Sequence, residues 1–308
     1  MKIAIMGAGG IGGYVGGRLA EAGHEVHLIA RGAHLAALRS DGLRVETPDG
    51  PLSIPDIHAA EDPAEIGPVD IIYFAVKLAD TDAAAARLAP LLGPNTRVVT
   101  VQNGIDSKNI IAAHTGAERV SAGIIYMAAN ITAPGVISFL GGVQRMVFDG
   151  QGGNAVLAAF AEACNATGHL QAETTETPDM LVWQKFVGLS SFSAWTSAAR
   201  LPSGALRTHP EARAMFRQLL EEAHAVALAV GHDLNPGVID HTISLIDTQP
   251  PTMKSSLLVD IEAGKPNEAA WLSGRVHQLG QELGVPTPGH SALWSILAPW
   301  ADGPPGPA

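Results

Sequence analysis

The hydrophobic pattern alternates between strand and helix signatures over the first half of the chain. Nearly continuous apolar runs of strand length occupy residues 1–6, 25–30, 69–76 and 97–101. Such runs are typical of parallel strands covered on both faces. Further strands are predicted at 120–126, 135–139 and 146–148, a hairpin at 43–46 and 52–54, and helices at 10–22, 35–40, 81–92 and 154–167. This alternation predicts a doubly wound sheet.

The pattern changes near residue 175. From Pro178 onward, long helical stretches are broken by Pro and Gly, and the sequence contains no convincing strand. We therefore predict an α/β fold, in which a Rossmann-type dinucleotide-binding domain over residues 1–174 precedes an all-α domain over residues 175–300. The Pro/Gly-rich tail at residues 301–308 should be disordered or loosely attached.

A glycine-rich loop directly follows the first predicted strand. A strand, a GxGxxG loop, a helix and a second strand within about 30 residues are typical of dinucleotide binding. Gly7 would permit the tight turn, Gly9 the close approach of a pyrophosphate, and Gly12 the close packing of helix on strand. The helix N-terminus would offer N–H groups to the phosphates. The predicted cofactor loop consists of Gly7, Ala8, Gly9, Gly10, Ile11 and Gly12.

The end of the second predicted strand bears on the choice of cofactor. NAD-preferring sites place Asp or Glu about 20 residues beyond the glycines. Here the strand ends in Ala30-Arg31-Gly32, with no carboxylate before Asp41. Because the Arg31 guanidinium can bind a 2′-phosphate, we expect NADPH rather than NADH. The alternative is that Arg31 is a solvated residue of a surface loop.

Polar residues also follow two other predicted strands. Lys77 follows the run at 69–76, and Asn103 follows the run at 97–101. In an open parallel sheet, ligands bind beyond the carboxyl ends of the strands. Each residue alone can be an ordinary loop residue, but together with Arg31 and the glycine loop they favour a binding site.

Lys185 is the anomaly of the helical half. It lies in residues 180–189, which are apolar almost all round and therefore predict a buried helix. A Lys there must extend its ammonium to water, pair with a carboxylate, or take part in chemistry. Burial lowers an ammonium pKa, which suits proton transfer near neutral pH. Glu268 is a candidate partner, but from these residues alone the better interpretation is a first-turn Glu that interacts with the helix dipole, with Asn267 as the N-cap.

Composition excludes several classes of function. The 308 residues carry a net charge of −11, which disfavours nucleic acid as a partner. No apolar stretch reaches the ~20 residues of a membrane span, and the N-terminal apolar run is already the first strand rather than a secretory signal. Cys164 is the only cysteine, and the twelve histidines show no paired-ligand spacing. We therefore predict a cytoplasmic protein without a metal, with Cys164 in the core.

Taken together, these motifs resemble the ketopantoate reductase family, NADPH-dependent enzymes that reduce 2-dehydropantoate to pantoate on the route to pantothenate. The resemblance extends over essentially the whole chain up to the tail. The residues that carry it are the glycine loop, Arg31, Val76-Lys77, Gln102-Asn103-Gly104, Trp183-Gln184-Lys185-Phe186, and Ser255-Ser256 ahead of Glu268.

The resemblance implies a role for each of these residues. Lys185 would donate a proton to the carbonyl oxygen as hydride reaches the carbon atom. Asn103 and Ser256 would contact the substrate, and Glu268 would orient the substrate and tune Lys185. Asn103 and Glu268 would also contact the cofactor. The implied partner is a small-molecule carbonyl substrate.

Three positions depart from the family pattern. The family usually has Asn four and eight residues after the catalytic Lys and again in the following loop, where this chain has Leu189, Ser193 and Ser203. Because Leu189 cannot form a hydrogen bond, the natural substrate of the family would lose ~1–3 kcal/mol of interaction here. Leu189 and Ser193 would then line the site for another small 2-oxo acid, ketone or imine. A paralogous reductase, and a sensor that binds NADPH without turnover, therefore stay open, as does a homodimer formed through the helical domain.

Overall fold

A computed structural model describes residues 1–305 of the chain. The contacts between residues divide it into two units, Met1–Pro178 and a second that begins at Asp179. The first unit is a mixed α/β unit and the second is helical. The predicted fold class is confirmed. The tail residues 306–308 lie outside the described part of the chain.

The first unit is built on one ten-stranded sheet. Its strands are β1 (Lys2–Met6), β2 (Glu25–Ile29), β3 (Leu43–Glu46), β4 (Leu52–Ile54), β5 (His58–Ala60), β6 (Val69–Phe74), β7 (Leu92–Thr100), β8 (Val120–Ala133), β9 (Val136–Asp149) and β10 (Gln171–Thr175). The order is β4-β3-β9-β8-β7-β6-β1-β2-β5, and β10 pairs with β9. The segment β5-β2-β1-β6-β7-β8 is parallel throughout and has the strand order 3-2-1-4-5-6 of a dinucleotide-binding fold.

Helices of the first unit cover both faces of this sheet. They are α1 (Gly10–Glu21), α2 (Gly32–Asp41), α3 (Thr81–Ala85), α4 (Ser107–Thr115) and α5 (Ala155–Ala166). Ile3 and Ile5 of β1 belong to the core cluster that includes α1 and α5, whereas Ala4 and Met6 belong to the cluster that includes α3 and α4. The apolar runs are continuous because alternate residues of each strand are buried on opposite faces.

The second unit consists of helices, several of which begin or end at Pro or Gly. They are α6 (Pro178–Ala199), α7 (Gly204–Thr208), α8 (Pro210–Val230), α9 (Gly237–Thr248), α10 (Ser256–Glu262), α11 (Ser273–Leu283) and α12 (Pro288–Leu297). Pro210 and Pro288 occupy first turns, and Gly231 and Gly284 end helices in the left-handed conformation. Over residues 1–305, no helix is both long and apolar enough to cross a membrane.

Several predicted elements differ from the observed ones. The helix predicted over residues 81–92 ends at Ala85 and is followed by the 3₁₀ turn Ala89–Leu91, because Pro90 lacks the N–H that an α-helix would need to bond the carbonyl of Ala86. The strands predicted at 135–139 and 146–148 form the single strand β9, whose pairing with β8 shifts register around Gly141 and Gly142. Strands β5 and β10 were not predicted, because both are short and polar enough to resemble loops.

The described part of the tail, residues 301–305, makes backbone hydrogen bonds at Ala301 and Gly303. The carbonyl of Ala301 accepts a hydrogen bond from the N–H of Asn267 at 2.9 Å. Gly303 is buried, and its N–H donates to the carbonyl of Trp300 at 3.1 Å. One backbone hydrogen bond therefore joins the first residue of the tail to a loop that is distant in sequence, and composition alone does not reveal it.

Candidate functional site

The glycine loop joins β1 to α1 at the carboxyl end of the parallel strands. Gly7 has a φ of +101°, and a Cβ atom there would lie 2.8 Å from the backbone nitrogen of Val76. A Cβ at Gly12 would lie 2.1 Å from the carbonyl oxygen of Gly7, whereas one at Gly9 would meet no atom within 4 Å. Backbone conformation and packing therefore require glycine at Gly7 and Gly12, while Gly9 leaves open space beside the loop.

This open space adjoins the N-terminus of α1. Gly9 is the N-cap residue and offers no side chain, and the N–H of Gly13 makes a helical bond to the carbonyl of Gly9 at 2.7 Å. The N–H groups of Gly10, Ile11 and Gly12 come before this bond and have no intrahelical acceptor. Together with the positive end of the helix dipole, these N–H groups could bind an anion such as the pyrophosphate of a dinucleotide.

Arg31 lies at the N-cap of α2, directly after β2. Its guanidinium Nη2 is 3.6 Å from Oδ2 of Asp80, and the two side chains are 71% and 52% exposed. Asp80 belongs to the short 3₁₀ segment Leu78–Asp80 after β6. The structure thus brings a carboxylate to the predicted 2′-phosphate residue. Our sequence prediction missed Asp80, although its position just beyond a strand end was a usable signal.

Lys77 and Asn103 lie on neighbouring loops, because β6 and β7 are adjacent in the sheet. Lys77 is exposed and Asn103 is half-buried. Gln102, which precedes Asn103, donates from Nε2 to the carbonyl oxygen of Val76, the residue before Lys77, at 2.8 Å. The glycine loop, Lys77 and Asn103 therefore converge around Val76. The sequence prediction gave Gln102 no role of its own.

Lys185 and Glu268 are the titratable pair of the second unit. Lys185 lies in α6, where the buried rings of Trp183 and Phe186 meet edge to face with centroids 5.4 Å apart. Burial lowers the pKa of Lys185 to about 8, and the negative charge of Glu268 acts in the opposite direction. Glu268 directly follows Asn267, whose Oδ1 accepts from the N–H of Ala269 at 3.1 Å. With this pKa the ammonium is mostly protonated at pH 7, and it releases its proton at lower pH than an ordinary lysine does.

The three positions that depart from the family pattern have different environments. Leu189 is half-buried, one helical turn after Lys185. Ser193 is fully buried, and its Oγ has no hydrogen-bond partner in the part of the chain that the structure describes. The Ser203 hydroxyl donates to the carbonyl of Pro250 at 2.8 Å, so a structural contact already uses it. Sequence alone could not separate these three cases.

The two serines before Glu268 also differ. Ser255 is buried, and its Oγ caps α10 by accepting from the N–H of Leu258 at 3.1 Å. Ser256 is exposed in the first turn of the same helix. Its exposure leaves the predicted substrate residue open to a ligand, while Ser255 holds the helix that presents it.

Other candidate chemistry is limited. Within residues 1–305, no group of three or more His, Cys, Asp or Glu residues is arranged to hold a metal ion. Cys164 is fully buried, and burial raises the pKa of its thiol to about 12. The prediction that Cys164 is a core residue is therefore confirmed.

Two family models match the chain. The model described as "Ketopantoate reductase PanE/ApbA" matches residues 3–150. The model described as "Ketopantoate reductase PanE/ApbA C terminal" matches residues 179–300. Together they cover most of both units, and the resemblance inferred from the motifs is confirmed.

Individual relatives agree with this match. A 2-dehydropantoate 2-reductase of Mesorhizobium japonicum is 30% identical, with 96% of this chain and 97% of the relative aligned. The crystal structure of a PanE/ApbA family ketopantoate reductase from Ralstonia eutropha has a TM-score of 0.89 at 32% identity and covers 97% of both chains. A D-mandelate dehydrogenase, solved with NADH and anilino(oxo)acetate, has a TM-score of 0.87 at 22% identity and covers 97% of both chains. At that identity, the last comparison shows the fold alone.

Proposed function

Because the chain belongs to the ketopantoate reductase PanE/ApbA family of oxidoreductases, we propose that it reduces a 2-oxo acid to a 2-hydroxy acid with NADPH, as in the reduction of 2-dehydropantoate to pantoate. The observation that carries the proposal is Lys185, whose pKa is lowered to about 8 in a helix beside Glu268. A lysine with that pKa can act as a general acid near neutral pH.

The residues of the chain account for the parts of this reaction. Bound NADPH would supply the hydride. The Lys185 ammonium would give its proton to the carbonyl oxygen and, until then, stabilise the negative charge that develops there. The Glu268 carboxylate would keep Lys185 protonated by favouring the charged form. The N-terminus of α1 would bind the pyrophosphate, and Lys77 and Asn103 would act from the loops after β6 and β7.

Leu189 stands at a position where the family usually has an Asn that can form hydrogen bonds to the substrate. A second candidate function is therefore the reduction of a 2-oxo acid or ketone with a more apolar side chain. Leu189 is half-buried one turn from Lys185, and its side chain can contact apolar but not polar groups of a substrate. This observation favours the second candidate specifically.

NADPH oxidation, followed by nicotinamide absorbance, tests both candidates. With 2-dehydropantoate we expect saturable turnover, and Leu189→Asn should raise kcat/KM by about 5- to 100-fold, because it restores one hydrogen bond to a polar substrate. For a 2-oxo acid with a branched aliphatic side chain, the same substitution should lower kcat/KM. If neither the wild type nor the variant reduces any 2-oxo acid, the proposed activity is wrong.

Arg31 and Asp80 provide the test of cofactor choice. Arg31→Ala should raise KM for NADPH by about 10- to 100-fold and leave KM for NADH nearly unchanged, because only NADPH carries a 2′-phosphate. Asp80→Asn should lower KM for NADPH by about 2- to 5-fold, because the carboxylate neutralises Arg31 and repels the phosphate. The measurement is kcat/KM with each nucleotide. A parallel change for both nucleotides in Arg31→Ala would contradict binding of the 2′-phosphate by this residue.

The cytoplasmic location and the homodimer stay predictions. A homodimer would suit the exposed apolar side chains of the second unit, among which Leu228, Leu245 and Ile296 are 45%, 46% and 52% exposed.

A further inference from the structure

The side chain of Gln102 makes three hydrogen bonds at the end of β7, beside the candidate site. Its Nε2 donates to the carbonyl oxygen of Val76 at 2.8 Å and to Oγ1 of Thr81 at 3.0 Å. Its Oε1 accepts from the hydroxyl of Thr100 at 2.9 Å. Both amide hydrogens are therefore engaged, and a ligand that took one of them would have to break a bond within the protein.

These bonds extend the sheet beyond its last backbone pair. The register between β6 and β7 ends at Phe74 and Thr100. Two residues further along each chain segment, the Gln102 amide reaches the Val76 carbonyl. Thr81, which accepts the other amide hydrogen, is fully buried at the start of α3. Gln102 thus connects the end of β7 to both ends of the loop that carries Lys77.

Val76 in turn contacts the glycine loop. A Cβ on Gly7 would lie 2.8 Å from the nitrogen of Val76, and the N–H of Ala75 donates to the carbonyl of Met6 at 2.8 Å. A displacement of Val76 would therefore move Lys77 and also alter the packing of the first glycine. Asn103, the residue after Gln102, would move with the same bonds.

We propose that Gln102 is a positioning residue that fixes Lys77, Asn103 and the glycine loop in the arrangement that binds the nucleotide. It acts through the Val76 carbonyl and the Thr81 hydroxyl, and not by contact with the ligand. This inference rests on the proposed function, because it takes the nucleotide to be the ligand of these three segments.

Gln151 offers a matched control in the same unit. Its Nε2 donates to the carbonyl of Val120 at 3.1 Å, and its Oε1 accepts from Nε of Arg97 at 3.1 Å. These bonds also involve neighbouring strands. They lie at the other end of those strands, because Val120 is the first residue of β8 and Arg97 comes just before the part of β7 that pairs with β8. Both substitutions remove a side-chain amide that donates to a backbone carbonyl. Gln151→Met removes it at the amino-terminal end of the strands, whereas Gln102→Met removes it at the carboxyl end, beside the candidate site.

The experiment measures the dissociation constant of NADPH by isothermal titration calorimetry, together with Tm, for the full-length wild type, Gln102→Met and Gln151→Met. We expect Gln102→Met to weaken binding by about tenfold, because the loss of these hydrogen bonds loosens three binding segments at once. Gln151→Met should show a comparable decrease in Tm with an unchanged dissociation constant. In turnover assays, Gln102→Met should raise KM for NADPH more than it lowers kcat.

Thr81→Val keeps the test decisive if Gln102→Met does not fold. This substitution preserves the shape of the side chain and removes only one of the two acceptors, so we expect about a threefold weaker affinity for NADPH. Equal affinity in the wild type, Gln102→Met and Thr81→Val would overturn the positioning role and leave the proposed function intact. A wild type that does not bind NADPH would overturn both.

Discussion

Lys185→Ala is expected to lower kcat for the reduction of a 2-oxo acid by about 10²- to 10⁴-fold, with little change in the dissociation constant of NADPH. General acid catalysis by a positioned side chain is typically worth that factor. The substitution removes the proton donor and the positive charge that would stabilise the developing oxyanion. Rapid-mixing measurements of the hydride-transfer step, combined with calorimetric binding of NADPH, check both halves of this expectation.

Two further lysine variants sharpen this result. Lys185→Arg retains a positive charge, but a guanidinium does not release its proton near neutral pH, so turnover should recover only in part. Lys254→Ala is the matched control, because Lys254 lies in the same unit and forms an ion pair with Glu262 at 2.8 Å. It should leave kcat unchanged. Undiminished turnover in Lys185→Ala would show that Lys185 is not the acid, whereas NADPH binding by the wild type without any turnover would favour the sensor.

The pH profile supplies an independent check on Lys185. Reduction requires the protonated ammonium, so kcat should be constant at lower pH and fall as the pH rises through about 8. Oxidation of the hydroxy acid requires the neutral amine and should show the opposite dependence. Glu268→Gln removes the charge that raises the pKa of Lys185, and therefore the fall in the rate of reduction should move to lower pH.

The sequence was sufficient for those parts of the fold that depend on local patterns. The apolar run of β1, the turn at Gly7 and the helix that begins at Gly10 are encoded within a few residues of one another, so that periodicity and glycine spacing predict them. The helix after β6 was predicted to be too long, because its alanines favour a helix. Pro90 cannot donate the backbone hydrogen bond that would continue this helix to residue 92. The merging of two predicted strands into β9 depends on pairing with β8, which short-range patterns do not contain.

The sequence could name candidate site residues one by one, but it could not give the contacts between them. Lys185 was singled out as a charge in an apolar helix, and the structure gives the lowered pKa that such a position implies. The pairing of Arg31 with Asp80, and the bonds of Gln102 to Val76 and Thr81, join segments that only the folded sheet brings together. Likewise, the hydroxyl of Ser203 could not be distinguished from a ligand-binding group until its bond to Pro250 was seen.

The second large effect concerns stability, and it arises in the helical unit. Glu222 of α8 is buried, and its two carboxylate oxygens accept from the N–H groups of Gly289 at 2.8 Å and His290 at 2.9 Å. These N–H groups lie in the first turn of α12, where the N-cap residue Thr287 provides no side-chain bond. A carboxylate from another helix therefore caps α12 and complements its dipole.

Glu222→Ala should lower the free energy of unfolding by about 3–5 kcal/mol, because it leaves two buried N–H groups without an acceptor and creates a cavity. Glu222→Gln retains one acceptor oxygen and should cost less than half as much. Glu221→Ala is the natural control, since Glu221 is the exposed neighbour on the same helix. Urea denaturation monitored by far-UV circular dichroism measures all three. If Glu222→Ala and Glu221→Ala unfolded at the same urea concentration, solvent rather than Glu222 would have to satisfy the first turn of α12, and the carboxylate would have no capping role.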